Sequence, residues 1–128
     1  MNLILDTHSL LWYISGDKQL PSKVIEIINQ SSNRCFISIA SIWEIAIKLS
    51  LEKLEINGGF KTIEDFLIDN DFELLPIDID DLKKILTMEF HHRDPFDRMI
   101  VAQALTTNSL IITKDASLQK YEVEILWD

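Results

Sequence analysis

Five short apolar stretches constrain this chain most: Asn2–Asp6, Arg34–Ile39, Phe72–Pro76, Ser109–Thr113 and Val123–Leu126. Each is rich in Leu, Ile, Val or Phe and has the length of a strand. A strand with one wet face alternates apolar and polar residues, whereas a strand covered on both faces reads as a nearly unbroken apolar run. Between these runs lie stretches with helical spacing: Pro21–Gln30, Ser41–Leu51, Thr62–Asp69 after the Gly58-Gly59 break, Ile79–Met88 and Pro95–Thr107. Alternating strands and helices predict an α/β fold, a three-layer α/β/α sandwich around a parallel sheet of about five strands. At 128 residues the chain suits a single domain, 1–128, with room for a core.

The composition, 47% hydrophobic and 26% charged, is that of a globular protein. No apolar run is long enough to span a bilayer, so no membrane partner is expected. The first residues, Met1-Asn2-Leu3-Ile4-Leu5-Asp6, lack the basic flank and long apolar core of a signal peptide. The lone Cys35 has no partner for an internal disulfide, which suits a reducing cytoplasm. Net charge is −9, which argues against a general phosphate-binding surface. Either the partner is not nucleic acid, or some of the acids hold a cation, whose charge inverts the local electrostatics.

In open parallel sheets ligands sit beyond the carboxyl ends of the strands. Asp6 ends the first predicted strand, and Glu44 lies one turn into the helix after the second. Asp97 lies one turn into the long apolar helix, and Asp115 comes two residues after Thr113. Each acid also has a capping explanation, because carboxylates are favoured at helix starts. Ser41-Ile42-Trp43-Glu44 reads as a capping box, Glu44 and Lys48 form an i, i+4 pair, and Asp94-Pro95 reads as a cap followed by a first-turn proline. Capping alone accepts Ser, Thr or Asn as readily as an acid, so four acids at one edge ask for more. If they converge, they repel, and a hard divalent ion relieves the repulsion. Mg²⁺, or Mn²⁺ in its place, prefers carboxylate and water ligands. Metal-assisted phosphodiester hydrolysis follows from such a cluster. Phosphoryl transfer to Asp6 is the competing chemistry, although Thr7-His8 supplies no second Asp two residues on. A catalytically silent partner-binding module is the third reading.

At these residues the chain resembles the PIN-domain proteins, specifically the VapC-type endoribonuclease toxins of bacterial type II toxin–antitoxin pairs. The resemblance rests on Leu5-Asp6-Thr7-His8 with Leu10-Leu11-Trp12, on Ser38-Ile39-Ala40-Ser41-Ile42-Trp43-Glu44-Ile45-Ala46-Ile47-Lys48, on His92-Arg93-Asp94-Pro95-Phe96-Asp97-Arg98 with Ala102-Gln103-Ala104, and on Thr113-Lys114-Asp115 with Tyr121 and Trp127. It implies a PIN-like fold and a Mg²⁺-dependent endoribonuclease acting on single-stranded or looped RNA, leaving a 5′-phosphate and a 3′-hydroxyl. It assigns metal binding and catalysis to Asp6, Glu44, Asp97 and Asp115, with Glu44 either a ligand or the group that orients and deprotonates the attacking water. Thr113 would orient a carboxylate, and Asp94 stays a helix cap. The implied partners are RNA, a cognate antitoxin and a second copy of the chain, in the cytoplasm.

Other side chains carry weaker signals. His91 and His92 are candidate ligands, against the preference of a hard ion for oxygen. His8 reads as packed or exposed near the site. Arg93 and Arg98 would contact phosphate or pair with Asp94 or Asp97. Trp12, Trp43 and Trp127 read as core or dimer interface in preference to base-stacking platforms. Lys48 and Lys53 are candidates for a basic rim, and Lys83 and Lys84 read as surface charge.

Overall fold

The computed structural model describes residues 1–91 and 93–127. Five strands, β1 (Asn2–Leu5), β2 (Arg34–Ser38), β3 (Phe72–Leu75), β4 (Leu110–Ile112) and β5 (Ile125–Leu126), form one sheet in the order β3-β2-β1-β4-β5. Every pairing is parallel, with Leu5 opposite Ile37 on one side and Ile112 on the other. Six helices connect them: α1 (Thr7–Ser15), α2 (Ser22–Asn29), α3 (Ile39–Ser50), α4 (Phe60–Asp69), α5 (Ile79–Thr87) and α6 (Pro95–Thr107). A 3-10 turn, Ala116–Tyr121, precedes β5.

Successive strand side chains point to opposite faces, so each apolar run feeds two cores. Leu3, Leu5, Cys35, Ile37 and Ile112 face one way and meet Leu10, Val24, Ile28, Ile42, Ile45 and Ile63 from α1 to α4. Ile4, Phe36 and Ile111 face the other way and meet Ile100, Val101 and Ala104 of α6, with Leu118 and Tyr121 of the 3-10 turn. Helix α5 packs on α6, which completes the third layer. The central strands are buried on both sides, which is why their sequences do not alternate. Cys35 is buried in the first core, and burial pushes its thiol up to about 11, so it stays protonated at neutral pH. Among the described residues no helix is long and apolar enough to cross a membrane.

Several local expectations change. The residues after Asp6 form a helix that their Thr, Trp, Tyr and Ile content disguises. Asp6 caps α1, and Gly16 ends it at φ +69, a conformation glycine adopts without strain. The predicted Ser41–Glu44 capping box is absent. Helix α3 starts at Ile39 and is capped by Ser38, whose Oγ accepts the Ala40 N–H. Strand β2 runs straight into α3, so the last strand residue has to be the cap. Ser41 is then buried inside the first turn, where its Oγ finds no partner among the described residues. A capping box does form at α5, between Asp78 and Asp81. Strand β5 starts at Ile125 because Val123 is used as core packing for the 3-10 turn.

Candidate active site

Connections from β1 lead outward to β2 and β3, and those from β4 lead the opposite way to β5. The carboxyl ends of β1 and β4 therefore flank the switch point, where open α/β sheets leave a crevice for a ligand. A cavity of ≈ 270 Å³ lies there, lined by Asp6, His8, Trp12, Lys114 and Asp115. Two of the four predicted acids thus share one cavity.

Asp6 is only 8% exposed and directly follows β1. Its Oδ1 accepts the Ser9 N–H at 2.9 Å, while its own N–H continues the sheet to the Ile112 carbonyl. Asp115 is held in a similar way: its Oδ1 accepts from the Ser117 N–H at 3.0 Å and from the Ser117 hydroxyl at 2.6 Å. Thr113 is fully buried and accepts the Asp115 N–H on Oγ1. It therefore shapes the turn that presents Asp115.

Glu44 is 7% exposed and joins the site through a partner 37 residues away. The Thr7 hydroxyl, next to Asp6, donates to Glu44 Oε1 at 2.6 Å. Lys48 sits one turn further along α3, its Nζ 3.0 Å from Glu44 Oε2. Asp97 lies in the first turn of α6, whose cap Asp94 accepts the Phe96 and Asp97 N–H groups. The neighbours of Glu44 and Asp97 touch: Trp43 of α3 meets Phe96 of α6 edge-on at 5.3 Å. That contact brings the α6 start beside α3 at the same end of the sheet.

Arg98 does not form the expected ion pair with Asp94 or Asp97. It is 8% exposed, its Nη1 donates to the Glu89 carbonyl and the Tyr121 hydroxyl, and its guanidinium lies over the Phe90 ring at 4.7 Å. One residue along a helix turns the side chain by roughly 100°, which carries Arg98 away from the Asp97 face. His91 is likewise occupied, by Glu89 and the Tyr121 ring. His92 lies outside the described residues. His8 packs on Trp12 at the cavity wall, as expected, and Trp12 meets Trp127 at 5.9 Å. Trp43 is 59% exposed, which excludes the core half of the core-or-interface expectation. Lys114 lines the cavity, and sequence reasoning gave it no role. Its signal was available, since it sits between Thr113 and Asp115.

Among the described residues no three Asp, Glu, His or Cys side chains stand close enough to enclose a metal ion. This donor set fits a hard ion nonetheless. Mg²⁺ is ordinarily held by one or two carboxylates and keeps several waters, whereas a site built for Zn²⁺ would need three or four direct ligands of nitrogen or sulfur character. Asp6 and Asp115 line one open cavity, with Glu44 and Asp97 at the same sheet end, and these four carboxylates outnumber the single imidazole there, His8.

No curated protein sequence matches the chain significantly. Its fold is similar to the VapBC2 complex of Rickettsia felis bound to a DNA fragment from its promoter, with a TM-score of 0.77, 14% identity and full coverage of both chains. It is similar also to VapBC-1 of nontypeable Haemophilus influenzae, at TM-score 0.69 and 17% identity over 98% of this chain and 97% of that one. The PIN domain endonuclease Utp24 has TM-score 0.54 and 20% identity over 94% of this chain and 76% of its own. These likenesses are of fold. In sequence, the profile of the PIN domain matches residues 3–124, almost the whole length, and on that match the chain belongs to the PIN domain family.

Proposed function

We propose that this protein is a Mg²⁺-dependent endoribonuclease and the toxin of a type II toxin–antitoxin pair, working in the cytoplasm as a homodimer. One observation carries the reading: Asp6 and Asp115 face a common cavity at the sheet's switch point, and Thr7 ties Glu44 to the same strand end. Asp6, Asp97, Glu44 and Asp115 are the residues that would hold the ion. When bound, it supplies charge for the phosphoryl oxygens and acidifies a water.

The chain's own groups then have separate tasks. Glu44, pinned at Oε1 by Thr7, either takes the ion at Oε2 or orients the attacking water there and takes its proton. Lys114 at the cavity wall pairs with a substrate phosphate. The aromatic wall of the cavity, His8 packed on Trp12, is where an unpaired base of single-stranded or looped RNA would lie. A phosphoryl-enzyme at Asp6 has less support, because the residues after it are Thr7 and His8 and its Oδ1 is engaged in capping.

Partner binding follows from the surroundings. A groove of ≈ 590 Å³ shares His8 and Trp12 with the acidic cavity and continues along Leu11, Ile14, Leu54, Ile56 and Ile63. An apolar antitoxin segment lying there would reach the acids with an Arg or Lys at its end. Exposed Ile79, Leu82 and Leu86 on α5 offer an apolar face for the second copy. The test is cleavage of single-stranded RNA by purified protein. Cleavage to 5′-phosphate ends in Mg²⁺ or Mn²⁺, stopped by EDTA and by saturating antitoxin, is the expected result. RNA left intact in both metals, or cut equally well in EDTA, would remove the proposal.

A further inference from the structure

Glu44 is nearly out of solvent, and each of its carboxylate oxygens already has a partner from the chain. Thr7 donates to Oε1, and the Lys48 ammonium meets Oε2 at 3.0 Å. The two partners differ in kind. Thr7 is buried and fixed by its place after β1, whereas Lys48 stands on the same face of α3 with its side chain 34% exposed, on a flexible four-carbon stem. The carboxylate head, 10% exposed, depends on that ammonium for charge balance in a protein of net charge −9. A buried carboxylate deprived of its counter-charge is costly, unlike one in a fully exposed pair.

We propose that Lys48 is a tethered counter-ion for Glu44: it balances this acid in the metal-free protein and yields Oε2 when a divalent ion is present. The inference rests on the metal-dependent reading above. Lys48 is a positioning residue, acting through Glu44. While it holds Oε2 and Thr7 holds Oε1, Glu44 keeps one orientation with no ion bound. Once released, the ammonium remains at the rim of the site on its own stem, free to approach a phosphate.

The experiment compares wild type, Lys48→Met, Lys48→Gln and Lys48→Arg, with Mn²⁺ alone as the probe. The readouts are Mn²⁺ affinity by calorimetry and the melting temperature in EDTA and in saturating Mn²⁺. Lys48→Met melts lower than wild type in EDTA and gains more from Mn²⁺. It binds Mn²⁺ roughly two- to fivefold tighter, the range set by a partly exposed ion pair. Lys48→Gln shows the same direction should the Met variant fail to fold, and Lys48→Arg stays close to wild type. In a Glu44→Gln background most of the tightening disappears. Unchanged or weaker Mn²⁺ binding in Lys48→Met, or equal tightening with Glu44→Gln present, overturns the assignment while leaving the metal reading intact. A wild type that does not respond to Mn²⁺ at all overturns both.

Discussion

Replacing Asp6 by Asn is expected to cut the rate of RNA cleavage by at least about 100-fold, because metal-borne charge stabilisation is worth several kcal/mol at about 1.4 kcal/mol per tenfold. The substitution separates two explanations of the same residue. Asp6 caps α1 through the Ser9 N–H, and Asn caps a helix about as well as Asp. The fold should therefore survive, with a change in unfolding free energy below about 1 kcal/mol, the size of the lost charge–dipole interaction. Cleavage kinetics and a denaturant melt on the same preparation make the comparison. A folded Asp6→Asn protein that cuts RNA at the wild-type rate would leave Asp6 as a cap and nothing more.

The second large effect concerns the helix that carries Asp97. Ile100 lies one turn further along α6, is fully buried, and packs with Ile4, Phe36 and Ile111 on the sheet. Ile100→Ala should cost about 2–5 kcal/mol in unfolding free energy, from lost transfer and the cavity left behind. That is a large part of the roughly 5–15 kcal/mol that holds a domain together. The denaturant midpoint should fall accordingly, while cleavage per folded molecule at low temperature stays near wild type, because no site group is removed. A loss under about 1 kcal/mol would mean that α6 is not anchored to the sheet as described.

Much of the architecture was legible because burial on both faces leaves a strand few choices of residue. Asn2–Leu5, Arg34–Ser38 and Leu110–Ile112 fell inside the predicted runs for that reason. The strand order was not legible, since it depends on backbone pairing between distant segments, which no local pattern encodes. Helix α1 was hidden because its residues have weak helix propensity and its stability comes from the Asp6 cap and from packing in the first core. Ser38 and Ser41 offered the same capping chemistry three residues apart. The choice between them was made by how far β2 stays paired, and Ser38 is still opposite Leu75.

The site divides in the same way. The rule that ligands sit at strand carboxyl ends placed Asp6 and Asp115 from their sequence positions alone, and the cavity holds both. The Glu44–Lys48 pair followed from helix spacing. The Thr7–Glu44 bond could not be read, because it joins segments that only the tertiary fold brings together. Arg98 misled for a related reason: among acids it suggests an ion pair, but its direction is set by the helix, which turns it toward Phe90 and Tyr121.

Everything proposed for this protein depends on whether the acids at the carboxyl end of the sheet hold a divalent ion. Anomalous diffraction from crystals soaked in Mn²⁺ tests it most directly. A peak is expected in the cavity bounded by Asp6 and Asp115, on the side facing Glu44 and Asp97, with no such peak in crystals of Asp6→Asn. A fully occupied Mn²⁺ peak elsewhere on the molecule, with this cavity empty, would contradict it.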